Sequence, residues 1–247
     1  MNNTTNIALS RLVVQQNALD VAAGNLANVN TPGYKAERVV FSDWLSRQSG
    51  TDIPAGDRKL AYVQDRATYR DHSQGAFTQT GNPLDLAIGG DGYFTVATAR
   101  GTRLTRAGRF ELQPDGTIAD ADGNALLDTG GQTMQASPSD TQIRVAADGT
   151  ISSENGQIGT IAVVQPGDLN RMQAEGGRLF DSQAGTTPVA QPRITQGAVE
   201  DSNVQATAEL TRMMAIQREF QFATQFIESE GQRQQNAIDK IVRSGPG

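Results

Sequence analysis

The chain has 247 residues, an apolar share of 37% and a net charge of −6 at pH 7, which allow one large domain or two smaller ones with hydrophobic cores. It contains no cysteine and a single histidine, His72. These counts exclude disulfides, thiol catalysis and cysteine-ligated metal sites, and the acidic charge argues against a nucleic-acid partner.

The first predicted element is a helix over residues 5–28. Its apolar side chains recur with a spacing that alternates between three and four residues, which is the seam of a heptad repeat. The seam positions are Leu9, Leu12, Gln16, Leu19, Ala23 and Leu26. Because Gln16 and Ala23 interrupt the leucines, this stripe is too thin to stabilise an isolated helix. The sequence therefore predicts a partner helix.

The helix is predicted to end within residues 28–35. Pro32 pushes Thr31 out of the helical region, and Asn30 and Gly33 suit turns and left-handed backbone. Local chemistry alone fits an ordinary helix terminus.

The composition changes over residues 35–74, where charges are mixed and a stretch rich in Gly, Pro and Asp occupies 49–57. This pattern predicts a connector with one short ordered end at 39–45.

Short apolar runs alternate with turn signals from residue 75 to residue 197. The runs cover 84–88, 93–97, 109–112, 117–119, 143–145 and 158–164. The dipeptide Asp-Gly, a hairpin signal when it separates apolar runs, occurs at 91–92, 115–116, 122–123 and 148–149. The pattern predicts an all-β domain, which at about 120 residues is large enough to fold on its own core.

A long second helix is predicted over residues 202–243, with Ser202 and Gln205 as a capping box at its start. Its seam again alternates three and four residues. The seam positions are Leu210, Met213, Gln217, Phe220, Thr224, Ile227, Gly231, Gln234, Ile238 and Ile241. A helix of about 60 Å is longer than a small domain is wide, so it too needs partner helices.

No catalytic or metal-binding pattern stands out. The segment 120–124 is similar to part of a calcium loop, but Gly131 occupies the place of the required bidentate glutamate. His72 lies in a polar segment and is interpreted as a surface residue rather than a general base. A carbohydrate hydrolase of the cell envelope with a β-sandwich domain stays open as an alternative, although nothing in the sequence places two carboxylates together.

Several motifs, in order, resemble those of bacterial flagellar rod and hook proteins. They are Ala-Asn-Val-Asn-Thr-Pro-Gly-Tyr-Lys at 27–35, Leu-Asp-Leu-Ala-Ile at 84–88, Gly-Asp-Gly-Tyr-Phe at 90–94, Thr-Arg-Ala-Gly-Arg-Phe at 105–110 and Gly-Ala-Val-Glu-Asp-Ser-Asn-Val at 197–204. Within that family the segments 62–65, 68–71 and 79–85 are most similar to the proximal rod subunit, with the distal rod subunit as the alternative. Gly24 and Phe220 depart mildly from the family pattern.

The resemblance implies a fold, a location and partners. It implies an α+β fold in which long N- and C-terminal helices form a coiled-coil-like axial domain around which the central all-β domain lies. It implies a non-enzymatic structural subunit of the basal-body rod, a periplasm-spanning structure, that polymerises through its terminal helices and transmits torque for motility. The expected partners are further copies, other rod and hook-family subunits and the flagellar export apparatus. No cofactor and no direct membrane insertion are expected.

Export is expected to proceed without a cleaved signal peptide, because the first ten residues contain no Lys or Arg and lead into no apolar segment. The predicted division is 1–34 for the N-terminal axial helix and turn, 35–74 for the connector, 75–197 for the β-domain and 198–247 for the C-terminal axial helix. The predicted subunit-interface residues are Leu9, Leu12, Leu19, Leu26, Leu210, Met213, Phe220, Ile227, Ile238 and Ile241.

Overall fold

The computed structural model describes residues 2–47, 59–137, 140 and 142–243. These residues form two compact units. The helix unit comprises the described residues of Met1–Leu26, Glu37–Tyr69 and Gln205–Gly247, and the β-rich unit comprises those of Ala27–Ala36 and Arg70–Val204. The predicted α+β class is confirmed, with a helix at each end of the chain and a β-rich region between them.

The helix unit contains two helices and two strands. They are α1 (Asn2–Ala27), β1 (Glu37–Arg47), β2 (Lys59–Arg70, whose last residue falls in the β-rich unit) and α2 (Ala206–Arg243). β1 and β2 pair with each other. Most of the predicted connector is therefore strand in the described residues, and β1 is longer than the ordered end expected at 39–45. The Gly-, Pro- and Asp-rich stretch 49–57 lies outside the described residues.

The predicted start of the second helix is wrong by four residues, because α2 begins at Ala206. The Ser202 hydroxyl accepts a hydrogen bond from the backbone N–H of Val204 (3.2 Å) and so closes a turn ahead of the helix. Asn203 cannot join the helix, since its side chain accepts from the N–H of Ala36 (2.7 Å) within the β-rich unit. The capping box expected at Ser202 does not form.

The strands of the β-rich unit are short. In chain order they are β3 (Phe77–Gln79), β4 (Leu86–Ile88), β5 (Tyr93–Thr98), β6 (Gly101–Thr105), β7 (Phe110–Leu112), β8 (Ile118–Asp120), β9 (Ala125–Leu126), β10 (Arg144–Val145), β11 (Thr150–Ser153), β12 (Gly156–Thr160), β13 (Val163–Pro166), β14 (Met172–Glu175), β15 (Leu179–Ser182), β16 (Thr186–Pro188), β17 (Ile194–Gln196) and β18 (Ala198–Glu200). A short 3₁₀ helix, Leu169–Arg171, precedes β14.

The largest sheet has nine strands, with the order β14-β15-β6-β5-β9-β8-β7 and with β13 joining β5 to β16. β10, β11 and β12 form a second sheet, while β17 pairs with β4 and β18 with β3. The last two pairs bring the end of the β-rich unit back beside its beginning, because their members are separated by more than 100 residues of sequence. The first and last strands of the β-rich unit are thus held together.

Three of the four Asp-Gly hairpin predictions are confirmed. The turns at 115–116, 122–123 and 148–149 connect β7 to β8, β8 to β9 and β10 to β11, and each connected pair is antiparallel. The hairpin predicted at 91–92 is wrong. There the flanking strands take other partners, since β4 pairs with β17 while β5 pairs with β6, β9 and β13.

The apolar runs supply one main core. Its buried members are Leu84, Leu86, Ile88, Phe94, Val96, Phe110, Ile118, Leu126, Met134, Val145, Ile151, Ile161, Val163 and Ile194. The run predicted as one strand at 158–164 is split into β12 and β13. At the break the N–H of Ile161 bonds to Gly149 and that of Ala162 to Leu127, so the chain passes from one sheet to the next while its core side chains stay buried.

In the part of the chain that the structure describes, neither helix is apolar enough over a sufficient length to cross a bilayer.

Candidate assembly surface

One face of α1 is buried within the helix unit and is built largely from small side chains. Its buried residues are Ala8, Val14, Gln15, Ala18, Ala22 and Asn25. Alanines allow close approach of the packed backbone and lose little side-chain entropy on burial. Three of the predicted seam residues, Leu12, Leu19 and Leu26, alternate with Ala8, Gln15 and Ala22 at spacings of three and four residues and so border this face.

The predicted seam of α1 is divided between this buried face and an exposed side of the helix. Leu9 is 48% exposed, and Leu12, Leu19 and Leu26 are half-buried. Leu9 and the buried Ala18 are nine residues apart, about two and a half turns, which places them on opposite faces. Val13, which the heptad pattern did not include, is 62% exposed beside Leu9. A helix with one buried face and an exposed apolar stripe at Leu9 and Val13 has room for two sets of partners.

α2 divides its apolar residues in the same way. Met213, Phe220 and Ile227 of the predicted seam are half-buried, whereas Leu210 is exposed. Further exposed apolar residues outside the seam are Met214, Phe222 and Phe226. Ile238 and Ile241 are helical, and their side chains lie outside those that the structure describes.

A cleft of about 560 Å³ separates α1 from α2 along part of their length. Its lining residues are Ala8, Arg11 and Gln15 on α1 and Glu219, Phe222, Ala223 and Phe226 on α2. At one end the Gln15 amide donates from Nε2 to Oε2 of Glu219 (3.2 Å). The two helices of one subunit therefore meet at this hydrogen bond and leave apolar surface uncovered beyond it.

The start of β1 is bound to both helices. The Asn25 side chain on α1 accepts from the N–H of Glu37 and donates to its carbonyl, both at 2.8 Å. The next residue, Arg38, forms an ion pair with Glu209 of α2, whose carboxylate is buried. Since each group would be costly to bury without its partner, these contacts fix β1 against the helix pair.

A second cluster of charged residues is buried in the β-rich unit. Glu200 accepts from Nζ of Lys35 (2.6 Å) on one carboxylate oxygen and from the Arg106 guanidinium (2.9 Å) on the other. Lys35 also donates to the carbonyl of Ser73 (2.7 Å), and Arg106 donates to those of Ile88 and Gly90. Burial lowers the pKa of the Lys35 ammonium, while the hydrogen bond to Glu200 opposes that shift.

The three ionic residues belong to three different motifs of the sequence. Lys35 ends the segment 27–35, Arg106 lies in 105–110 and Glu200 lies in 197–204. The backbone N–H of Gly33 in the first segment also donates to the carbonyl of Glu200 (2.8 Å). The motifs that carry the family resemblance therefore converge on one buried junction where the chain enters and leaves the β-rich unit.

His72 and Tyr93 lie beside this junction. The Nδ1 atom of His72 is 2.8 Å from the Tyr93 hydroxyl, and the Arg106 guanidinium lies over the Tyr93 ring at 5.2 Å from its centroid. Burial raises the pKa of the Tyr93 phenol to about 12. Burial and the nearby positive charges of Lys35 and Arg70 lower the pKa of His72. The interpretation of His72 as a surface residue is wrong, since it is partly buried and hydrogen-bonded.

The acidic turn at 120–124 uses its carboxylate internally. Oδ1 of Asp120 accepts from the backbone N–H groups of Asp122 and Asn124, both at 2.9 Å. Among the described residues, no three Asp, Glu or His side chains are arranged to hold a metal ion.

The sequence contained the junction residues but gave no sign of their pairing. Lys35 and Glu200 are 165 positions apart and Arg106 and Glu200 are 94 apart, so no periodic pattern links them. The available signal was the presence of charged residues within these three motifs, two of which contain a second one, Arg109 and Asp201.

The chain matches three family models at positions that agree with this architecture. The model described as flagella basal body rod protein matches residues 6–35. The flagellar hook protein FlgE/F/G D1 domain matches residues 87–153, and the flagellar basal body rod FlgEFG protein C-terminal model matches residues 195–240.

Whole-chain relatives agree with the family models. The flagellar basal-body rod protein FlgF of Caulobacter vibrioides is 32% identical over 243 residues, which cover 98% of each chain. FlgF of Mesorhizobium japonicum is 33% identical over 90% of each chain. FlgG of Bacillus subtilis is 34% identical over 91% of this chain and 93% of its own. The chain therefore belongs to the family of flagellar basal-body rod proteins.

Proposed function

We propose that this structural rod subunit polymerises through α1 and α2 in the proximal part of the rod. The two helices would form coiled-coil-like contacts with those of neighbouring subunits, and the β-rich unit would lie outside them. The expected partners are further copies and other rod and hook-family subunits, after delivery by the flagellar export apparatus without a cleaved signal peptide. Its role is mechanical, without a catalytic reaction.

The exposed stripe of α1 is the observation that carries this proposal. Leu9 and Val13 are exposed on a helix whose opposite face is already buried, and exposed apolar surface of this kind marks an interaction site. Head-to-tail contacts that do not close on themselves generate open helical polymers. Packing each helix against several others would supply the stability that its thin stripe lacks alone.

The proximal assignment is supported by the resemblance of segments 62–65, 68–71 and 79–85 to the proximal subunit. Relatives named FlgF and FlgG both match at least 90% of this chain, so the assignment to one part of the rod rests on those segments.

The hydrolase alternative requires two carboxylates facing a cleft. The most buried glutamates of the described residues, Glu200 and Glu209, are instead held by cationic side chains. Such ion pairs suit a structural role.

Charge introduced into the seam tests the proposal. We expect Leu19→Asp and Phe220→Asp to abolish rod assembly and swimming in a strain that lacks the native gene. The β-rich unit should still unfold cooperatively, because neither residue belongs to it. Gln221→Asp is the matched control, since it places the same charge on an exposed polar position next to Phe220. Normal rods and swimming with both seam variants would contradict the proposal.

A further inference from the structure

The cleft between α1 and α2 has features of a binding site for another helix. Phe222 and Phe226, one turn apart on α2, are 70% and 48% exposed at its edge. Gln15 at its end is 7% exposed, and its Oε1 atom has no hydrogen-bond partner among the described residues. A buried acceptor without a donor is costly and is usually satisfied in the native assembly. The apolar side chains along the cleft are therefore uncovered, and the Gln15 oxygen at one end has no hydrogen-bond donor.

The exposed stripe on the other side of α1 contains apolar side chains and a hydrogen-bond donor. Leu9 and Val13 lie one turn apart, and Gln16 follows one turn later on the same side. The Gln16 side chain is exposed, and its Nε2 donates one hydrogen bond to Asp20 (3.0 Å). An amide nitrogen carries two hydrogens, so a second donor remains for another acceptor. The stripe thus presents two apolar groups and one donor at helical spacing.

We infer that the cleft of one subunit receives α1 of a second copy, with the Leu9, Val13 and Gln16 stripe seated in it. Leu9 of the second copy would lie beside Phe226, Val13 beside Phe222, and Gln16 beside the unpaired oxygen of Gln15. This inference rests on the proposed polymerisation and names the contact through which it occurs.

The direction of the incoming helix follows from the order of these groups. Along the receiving α1, Ala8, Arg11 and Gln15 line the cleft in sequence, and the hydrogen bond between Gln15 and Glu219 places Phe222 and Phe226 toward the Ala8 end. Matching the donor to Gln15 makes the incoming helix parallel to the receiving one. Parallel orientation is what a polymer of identically directed subunits requires.

The electrostatics of the two surfaces are compatible. α1 carries only two charged residues, Arg11 and Asp20. Arg11 faces the cleft, whereas Asp20 lies on the exposed side with Gln16. The three residues of the incoming stripe carry no charge, so none of them brings a cation against Arg11, and Asp20 lies one turn beyond Gln16 on the same side. The contact is heterologous, because the stripe and the cleft lie on opposite faces of the same helix.

Cysteine crosslinking tests this contact, and the absence of native cysteines makes the introduced pair unambiguous. We expect the full-length Val13→Cys/Phe222→Cys variant in assembled rods to form disulfide-linked ladders longer than dimers upon oxidation, because each subunit donates its stripe to the next. Val13→Cys alone and Phe222→Cys alone should stay monomeric on non-reducing gels. Both positions are exposed in the subunit, so helix content should stay at the level of the unsubstituted protein.

Val13→Cys/Thr211→Cys is the register control. Thr211 is exposed on the same side of α2 as Phe222, about three turns away, and this pair should not crosslink.

Three outcomes would overturn the inference. They are a monomeric Val13→Cys/Phe222→Cys variant in intact rods, a dimer formed by Phe222→Cys alone, and equal crosslinking of the Thr211→Cys control. Each leaves the proposed function standing when rods assemble and cells swim. Failure of the unsubstituted chain to restore rods would instead contradict the proposed function.

Discussion

Lys35 donates a 2.6 Å hydrogen bond to Glu200 across 165 residues of sequence, and both side chains are 1% exposed. Lys35 lies in the segment 27–36 of the β-rich unit, just before the chain passes into β1 of the helix unit, and Glu200 ends β18, the last strand of the β-rich unit. Together with Arg106 they join the entry and exit of the unit through one carboxylate. We interpret this junction as a contact that stabilises the fold of the β-rich unit independently of the two helices.

Glu200→Gln is predicted to destabilise the β-rich unit by about 3–5 kcal/mol, because it leaves Lys35 and Arg106 buried without a counter-charge. Urea unfolding, followed by amide exchange of peptides from the nine-stranded sheet, measures this loss. Asp122→Asn is the control. It removes a carboxylate that is 58% exposed and paired with Arg178 at the surface, and it should leave the unfolding midpoint nearly unchanged. Equal midpoints for the two variants would show that the junction contributes no stability.

Gly33→Ala is predicted to be strongly destabilising. Gly33 has φ of +71°, and an added Cβ would lie 2.3 Å from the backbone nitrogen of Ala107. Gly123→Ala shares the left-handed backbone, with φ of +81°, but has open space around the new Cβ. It should cost only the conformational term of about 1–2 kcal/mol. Thermal unfolding of both variants separates the clash from the backbone strain, and similar losses would contradict the close approach of Gly33 to the backbone of Arg106 and Ala107.

His72 is predicted to make the β-rich unit less stable in acid. Its pKa in the folded protein is lowered from 6.5 by burial and nearby cations, so the unfolded chain binds the proton more readily. The stability that neutral His72 contributes is complete above pH 6.5 and is lost as the pH falls from 6.5 toward the lower folded pKa. The charged groups around it are Lys35, Arg70, Asp71 and Arg106.

The pH dependence of the urea midpoint between about pH 5 and about pH 7.5 checks this effect. We expect His72→Gln to show a shallower acid decline than the unsubstituted protein, since carboxylate titrations are common to both. An identical slope in the two proteins would rule out His72 as a source of the decline.

Amide exchange rates in the dilute monomer are predicted to differ between the β-rich unit and the two helices. Exchange should be slow in the strands of the β-rich unit and in residues 33–36, whose backbone is bonded to the junction. It should be fast in α1 and α2, because apolar residues such as Leu9 and Phe222 are exposed in the subunit and would be covered in the proposed polymer. Hydrogen exchange mass spectrometry of the monomer measures both, and uniformly slow exchange would mean that the helices need no neighbouring subunit.

The parts of the fold set by local pattern were predictable. Heptad spacing predicted α1 and α2, and Asp-Gly signals between apolar runs predicted three hairpins. The apolar runs also supplied most of the core. These features depend on residues close together in sequence, where propensity and side-chain periodicity act directly.

Long-range relations were not predictable from those patterns. β4 pairs with β17 and not with its neighbour β5, so the hairpin expected at 91–92 fails. The buried face of α1 includes Ala18 and Ala22, while Leu9 of the predicted seam stays exposed, and hydrophobicity alone does not tell which side of the helix packs internally. Ser202 fits a capping box, but Asn203 beside it is bonded to Ala36, and this tertiary contact prevents an earlier helix start.

Location in the basal body tests the central claim most directly. An epitope inserted at the exposed turn of Gly130 and Gly131 can be located by electron microscopy of purified basal bodies from a swimming strain whose only copy is the tagged chain. We predict label on the rod, in its proximal part. Label confined to the distal rod would contradict the proximal assignment, and label on the hook or filament, or its absence from basal bodies, would contradict the assignment as a rod subunit.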